Sequence, residues 1–150
     1  MDYIKHLDHR LQIFANLFLV SNKLQVTMDQ RNLDITSKQW FVLAALSYLP
    51  QAPTLKELAA NLDYSHQNIR QLVRKLEDKG YVQVKKDPID QRAIRIYLTK
   101  EVEKWEQAHQ ADQQAFIQQM YHGISPESLK VVNHVLDQLY ENLGDMNEKA

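Results

Sequence analysis

Residues 65–99 read SHQNIRQLVRKLEDKGYVQVKKDPIDQRAIRIYLT, and a single change of period inside this stretch decides the fold. In its first half Ile69, Leu72, Val73 and Leu76 recur at helical spacing, with Ser65 as a cap and Gly80 as the left-handed stop. Beyond Gly80 the period falls to two. Val82 and Val84 alternate with Gln83 and Lys85, residues 86–92 break the run, and Ile94, Ile96 and Leu98 alternate with Arg95 and Tyr97. The pattern predicts one helix followed directly by a β-hairpin with a charged tip.

Upstream, Thr36-Ser37-Lys38-Gln39 and Thr54-Leu55-Lys56-Glu57 both match the capping box, in which the threonine hydroxyl and the glutamine or glutamate each satisfy a free helix amide. The first box opens a helix that stops before Pro50-Gln51-Ala52-Pro53. The second opens a helix of about two turns carrying Leu55, Leu58, Ala59 and Leu62. A short break then leads into the helix of residues 65–79. Two short helices so joined make a helix-turn-helix, and a hairpin immediately after it makes a winged helix, predicted over residues 33–99.

The remainder of the chain reads as helix. Only three glycines and four prolines punctuate 150 residues. In residues 4–26, Ile4, Leu7, Leu11, Phe14 and Phe18 form one stripe, while Ile13, Leu17, Val20 and Leu24 form another. A helix lying on one core needs a single stripe. The last helix, opened by Ser125 and Pro126, places Leu129, Val132, Leu136, Leu139 and Leu143 at heptad-like spacing. We therefore expect residues 1–30 and 100–150 to form a helical lobe, with Ile4, Leu7, Leu11, Leu129, Val132, Leu136, Leu139 and Leu143 at a contact between two copies of the chain. The bland reading is an intramolecular helical core.

Composition removes several classes of function. The absence of cysteine excludes disulfides, thiol nucleophiles and cysteine-rich zinc sites. There is no glycine-rich phosphate loop, no HExxH and no nucleophile elbow, so we expect no enzyme and no cofactor. The longest uninterrupted apolar run, Phe41 to Leu46, is far too short to span a bilayer, and no signal-peptide core follows Met1, so a cytoplasmic protein without membrane contact is expected. Six histidines include His6 and His9 one turn apart and His109, His122 and His134 on the later helices, yet no compact ligand motif joins them, and no metal site is assigned.

The net charge of −1 conceals an asymmetry. Residues 64–100 carry nine Lys/Arg against four Asp/Glu, whereas residues 101–150 carry three against nine. A basic block confined to the winged helix is what a local nucleic-acid surface requires. On the helix of residues 65–79, removing the apolar positions leaves Ser65, His66, Gln67, Asn68, Arg70, Gln71 and Arg74, with carboxylates only at Glu77 and Asp78. Such donor-rich side chains suit base edges in a major groove. A merely solvated helix face ordinarily mixes glutamate with lysine from its first turn. In the hairpin, Lys85, Lys86, Arg92 and Arg95 are candidates for phosphates or the minor groove. Asp87 and Asp90 are expected to hold the turn, Asp87 through an Asx-type bond and Asp90 by pairing with Arg92.

These residues together resemble the MarR-type bacterial transcriptional regulators. The likeness runs through Thr36…Trp40…Leu43…Leu46, Leu55…Glu57-Leu58-Ala59, Ser65…Ile69…Leu72-Val73…Leu76-Glu77…Lys79-Gly80-Tyr81-Val82, and most specifically through Asp87…Asp90…Arg92 followed by Leu98-Thr99. The resemblance implies a mainly helical homodimer whose amino-terminal and last two helices form the dimer lobe. It implies that each winged helix docks in a major groove of double-stranded DNA, with Arg92 in the minor groove. A repressor acting on a pseudo-palindromic operator is then expected, released by a small amphipathic ligand near Phe14, Phe18, Trp40 and Tyr48. Two rivals are a metal-responsive regulator of the same fold and a winged-helix protein-interaction module that does not bind DNA.

Overall fold

A computed structural model of the chain describes residues 4–31 and 34–148. The described elements are α1 (His9–Asp29), α2 (Ser37–Tyr48), α3 (Leu55–Asn61), α4 (His66–Asp78), β1 (Val82–Lys86), β2 (Ile94–Leu98), α5 (Lys100–Met120) and α6 (Pro126–Glu148). They fall into two compact units, Met1–Ala108 and His109–Ala150.

In the first unit, local sequence sets the start of each helix. Thr36 and Thr54 close complete capping boxes with Gln39 and Glu57. The Ser65 hydroxyl accepts from the Asn68 amide at 3.2 Å. α1 begins later than the apolar stripe predicts, at His9 rather than Ile4, because the Asp8 carboxylate accepts from the amides of Arg10 and Leu11 and ends the helix there. The Ser37 amide donates to Asp29 Oδ1 at 2.6 Å, tying the first residue of α2 to the last residue of α1.

The core of this unit gathers Val42, Leu43 and Leu46 from α2, Leu55, Leu58 and Ala59 from α3, Ile69, Leu72, Val73 and Leu76 from α4, Val82 and Ile96 from the hairpin, and Val102 and Trp105 from α5. Val42, Leu58, Ile69 and Leu76 are wholly excluded from solvent, so each stabilises the fold by roughly 1.5–3 kcal/mol. The hairpin is antiparallel with Val82 opposite Leu98 and Val84 opposite Ile96, which directs the small apolar side chains of both strands to the core. α4 ends in a Schellman turn. The Tyr81 amide donates to Leu76 O at 2.9 Å and the Gly80 amide to Glu77 O at 2.8 Å, with Gly80 at φ 78°. β1 therefore starts three residues after the Lys79 cap of α4, and its Val84 amide donates to Glu77 Oε1 at 3.1 Å.

In the second unit, Ser125 caps α6 by accepting from the Ser128 amide at 3.1 Å. None of the described side chains on α6 is buried. Val132, Leu136 and Leu143 stand exposed, and Leu129 and Leu139 are half-buried. α1 of the first unit likewise has no buried residue, with Phe14 and Phe18 both about three-fifths exposed and stacked edge to face at 5.3 Å. Leu7 and Leu11 are exposed as well. Ile4 departs from the expectation of an intersubunit contact, since it is already covered within a single chain.

Candidate nucleic-acid interface

α4 presents its buried side, Ile69, Leu72, Val73 and Leu76, to the core, so the opposite side is fixed outward by helical geometry. Ser65, His66, Gln67, Arg70, Gln71 and Arg74 are exposed there, and Asn68 is half-buried beside them. Neither Arg70 nor Arg74 has a carboxylate within ion-pair distance among the described residues. The same holds for Lys85, Lys86 and Arg92 in the hairpin. Lys85 lies over the Tyr97 ring at 5.4 Å, which holds its ammonium without neutralising it. A row of uncompensated cations on α4 and on the hairpin is thus carried by one compact unit.

The hairpin tip is organised from beneath by Asp87. This carboxylate is buried, and its Oδ1 accepts from the amides of Ile89 at 2.7 Å and Asp90 at 2.9 Å. Those two backbone bonds, aided by Arg95, hold its pKa below the ordinary carboxylate range. Asp90 Oδ1 accepts from the Arg92 amide at 3.0 Å. The expected pairing with the Arg92 guanidinium is replaced by this backbone bond, which turns the chain and leaves the guanidinium outward and exposed.

Arg95 differs from its expected role as a DNA-facing cation. Its Nε donates to Asp87 Oδ2, its Nη1 donates to Ala52 O at 2.6 Å, and Nη1 lies 3.6 Å from Glu57 Oε2. Glu57 is in turn the capping-box acid of α3, accepting from the Thr54 amide at 2.7 Å, which lowers its own pKa. Ile96 N donates to Pro53 O at 2.9 Å beside an isolated bridge between Thr54 and Arg95. Arg95 therefore joins the wing, the 50–54 turn and the start of α3. The guanidinium is occupied inside the protein because two acids and a carbonyl surround it.

A second group was not foreseen. The Tyr81 hydroxyl donates to Asp34 Oδ2 at 3.1 Å, and Lys79 Nζ approaches Asp34 Oδ1 at the same distance. Burial first, and the Asp34 bond second, push Tyr81 up to about 12. The Tyr81 ring also meets Trp105 edge to face at 6.5 Å. Together these contacts brace the carboxyl end of α4, and no local sequence signal joins residues 34 and 79.

Of the aromatics expected near a ligand, Trp40 lines a cavity of about 270 Å³ between α1 and α2. Phe14 and Phe18 are exposed on α1, and Tyr48 is almost fully exposed at the end of α2. Among the described residues no group of three His, Asp or Glu could hold a metal ion, and no described helix is long and apolar enough to cross a membrane.

Residues 33–93 match the sequence profile of the MarR family. Over 145 residues the chain is 27% identical to the transcriptional activatory protein BadR of Rhodopseudomonas palustris, covering 93% of this chain and 82% of BadR. Its fold is similar to a MarR protein from Peptoclostridium difficile, with a TM-score of 0.78 at 23% identity over 95% of this chain and 93% of that one. It is similar also to the S. aureus MepR–DNA complex, with a TM-score of 0.76 at 24% identity over 87% and 97% of the two chains. Streptococcus pneumoniae FabT in complex with DNA gives a TM-score of 0.69 at 22% identity over 91% and 99%. The likenesses establish the fold, a mainly helical winged helix with a two-stranded antiparallel wing.

Proposed function

We propose that the protein is a sequence-specific DNA-binding regulator that acts as a homodimer on a pseudo-palindromic operator. The observation that carries this reading is the α4 face of His66, Gln67, Arg70, Gln71 and Arg74 alongside the unpaired wing cations Lys85, Lys86 and Arg92. Asn68, at the edge of that face, and Ser65, at its cap, complete the reading surface. Arg and amide side chains on a helix discriminate guanine and adenine in the major groove, while wing cations supply sequence-independent phosphate contacts. MepR and FabT are both described in complex with DNA, which supports the same use of the fold here.

The exposed apolar residues on α1 and α6, among them Leu7, Leu11, Val132, Leu136 and Leu143, favour a second copy of the chain as their cover. A two-fold dimer presents its paired helices about 34 Å apart, one turn of DNA, which is why the operator is read as a pseudo-palindrome. We read the sign of regulation as repression by occupancy of a promoter, relieved by a small amphipathic effector. BadR carries the opposite description, an activatory protein, so the position of the bound site relative to the promoter is the deciding measurement.

Selection of genomic fragments by the purified protein, followed by footprinting, tests DNA binding and names the site together. Recovery of a short inverted repeat is the expected result. Failure to retain any duplex at low ionic strength overturns the reading in favour of the protein-interaction module.

A further inference from the structure

We propose that Ile89, at the tip of the wing, is a specificity-determining residue whose apolar side chain enters the minor groove beside α4 and rejects guanine there. The proposal rests on the DNA reading above and adds to it a residue that carries no charge and no hydrogen-bonding group. Ile89 is 95% exposed, more than any other large apolar side chain among the described residues. Single exposed apolar side chains are common on protein surfaces. What sets this one apart is how firmly the chain holds it out.

The Ile89 amide donates to Asp87 Oδ1, as does the amide of Asp90. The Asp87 amide donates to Ala93 O at 2.9 Å, and the Ala93 amide returns to Asp90 O at the same distance. Pro88 restricts the backbone immediately before Ile89. Residues 87–93 are thus closed upon themselves, and Asp87 is fixed in turn by Arg95, which also bonds Ala52 O. An isoleucine on so constrained a loop is already ordered before it meets a partner, so little conformational entropy is lost on contact.

The surrounding charge names the partner. Lys85, Lys86 and Arg92 are exposed around the tip and have no carboxylate within ion-pair distance among the described residues, which fits a polyanion. Asp90 is exposed as well, with Oδ1 accepting from the Arg92 amide, and its charge opposes phosphate at the tip itself. Phosphate contact therefore falls to the flanking cations, and the tip is left with apolar contact inside a groove. A·T pairs show only acceptors on the minor-groove floor, whereas guanine adds its N2 amine. Ile89 offers that amine no acceptor and strips it of water, a loss that A·T pairs do not incur. Apolar side chains of this kind are suited to the minor groove.

The operator selected from genomic fragments is the probe. The chain has no cysteine, so Gln91→Cys carrying iron–EDTA gives a single label two residues from Ile89, and its cleavage locates the base pairs under the wing. Those pairs are then set to A·T, G·C or inosine·C, which lacks the amine. For the unaltered protein, G·C is expected to weaken binding about tenfold and inosine·C to restore it. Ile89→Ala should weaken the A·T duplex about tenfold and cut the G·C penalty to within about twofold, while Ile89→Leu retains both effects. Thermal unfolding of the variants should match the unaltered protein, since the side chain packs on nothing. A G·C penalty that survives in Ile89→Ala, or inosine·C behaving as G·C, overturns the role of Ile89 and leaves the DNA reading standing. Wing-directed cleavage that falls outside the minor groove does the same. Failure to retain any duplex overturns both, with the exposed isoleucine then serving a protein partner.

Discussion

The Arg95 guanidinium and the Asp87 carboxylate form an ion pair beneath the wing, with Asp87 only 4% exposed and Arg95 also bonded to Ala52 O in the turn before α3. The wing is thereby fastened to the helix-turn-helix by a side chain rather than by backbone alone. Arg95→Ala is expected to lower thermal stability and also DNA affinity, through a loosened wing, while Arg95→Lys restores neither fully because the forked guanidinium is lost. Thermal unfolding and DNA titration of both variants check this.

Acid should act on the same tie. Asp87 and Glu57 both titrate below their ordinary values, Asp87 chiefly through the amides of Asp90 and Ile89 and Glu57 chiefly through the Thr54 amide. A depressed folded pKa contributes stability that is complete above the unfolded value and is lost as pH falls through the folded one. The loss should therefore appear below about pH 4. Asp87→Asn is expected to be less stable at pH 7 but to show a shallower decline under acid, measured by urea titration across pH 2–6.

Tyr81 gives the alkaline counterpart. With its pKa at about 12, its neutral form is favoured in the folded state, so its contribution is complete below the ordinary tyrosine value and fades as pH rises toward 12. Ultraviolet titration should show a late-ionising tyrosine that is absent in Tyr81→Phe. A titration curve unchanged by Tyr81→Phe above pH 10 contradicts the Asp34 bond.

Stability and DNA reading should separate along α4. Leu76→Ala empties a fully buried position and is expected to cost about 2–5 kcal/mol by denaturant titration. Arg74→Ala, on the exposed side, should stay within about 0.5 kcal/mol in the same assay yet weaken DNA binding. Arg92→Ala should weaken all duplexes alike and reduce the salt slope by about 1, whereas Gln67→Ala or Gln71→Ala should alter sequence preference by about 1–3 kcal/mol.

Gly80→Ala isolates backbone geometry. A Cβ at this position meets nothing within 4 Å, so the cost arises from φ 78° itself, about 1–2 kcal/mol. Chemical denaturation measures it, and a neutral result would mean the turn relaxes.

The parts of the fold written in short-range chemistry were legible from residue order. Thr36, Thr54 and Ser65 announce helix starts through side chains that reach only three residues, and Gly80 marks its stop by lacking a Cβ. The shift from Ile69-Leu72-Val73-Leu76 to Val82-Val84 spelled out helix then strand. What escaped lies in long-range partnerships. Arg95 reads as one more cation of the wing, and only folding brings Ala52 and Glu57 to it. Asp34 with Tyr81 is hidden for the same reason, across 47 positions. The apolar stripe beginning at Ile4 overran the true helix start because periodicity does not register that Asp8 has capped the amides beyond it.

The Schellman turn at Gly80 leaves no slack between the base-reading rod and the hairpin that follows. With Glu77 and Arg95 as additional rivets, the segment from Ser65 to Thr99 must travel as a rigid cassette. Transplanting a new target preference into this scaffold therefore calls for exchanging that cassette whole, together with the loop carbonyl of Ala52 against which it is bolted.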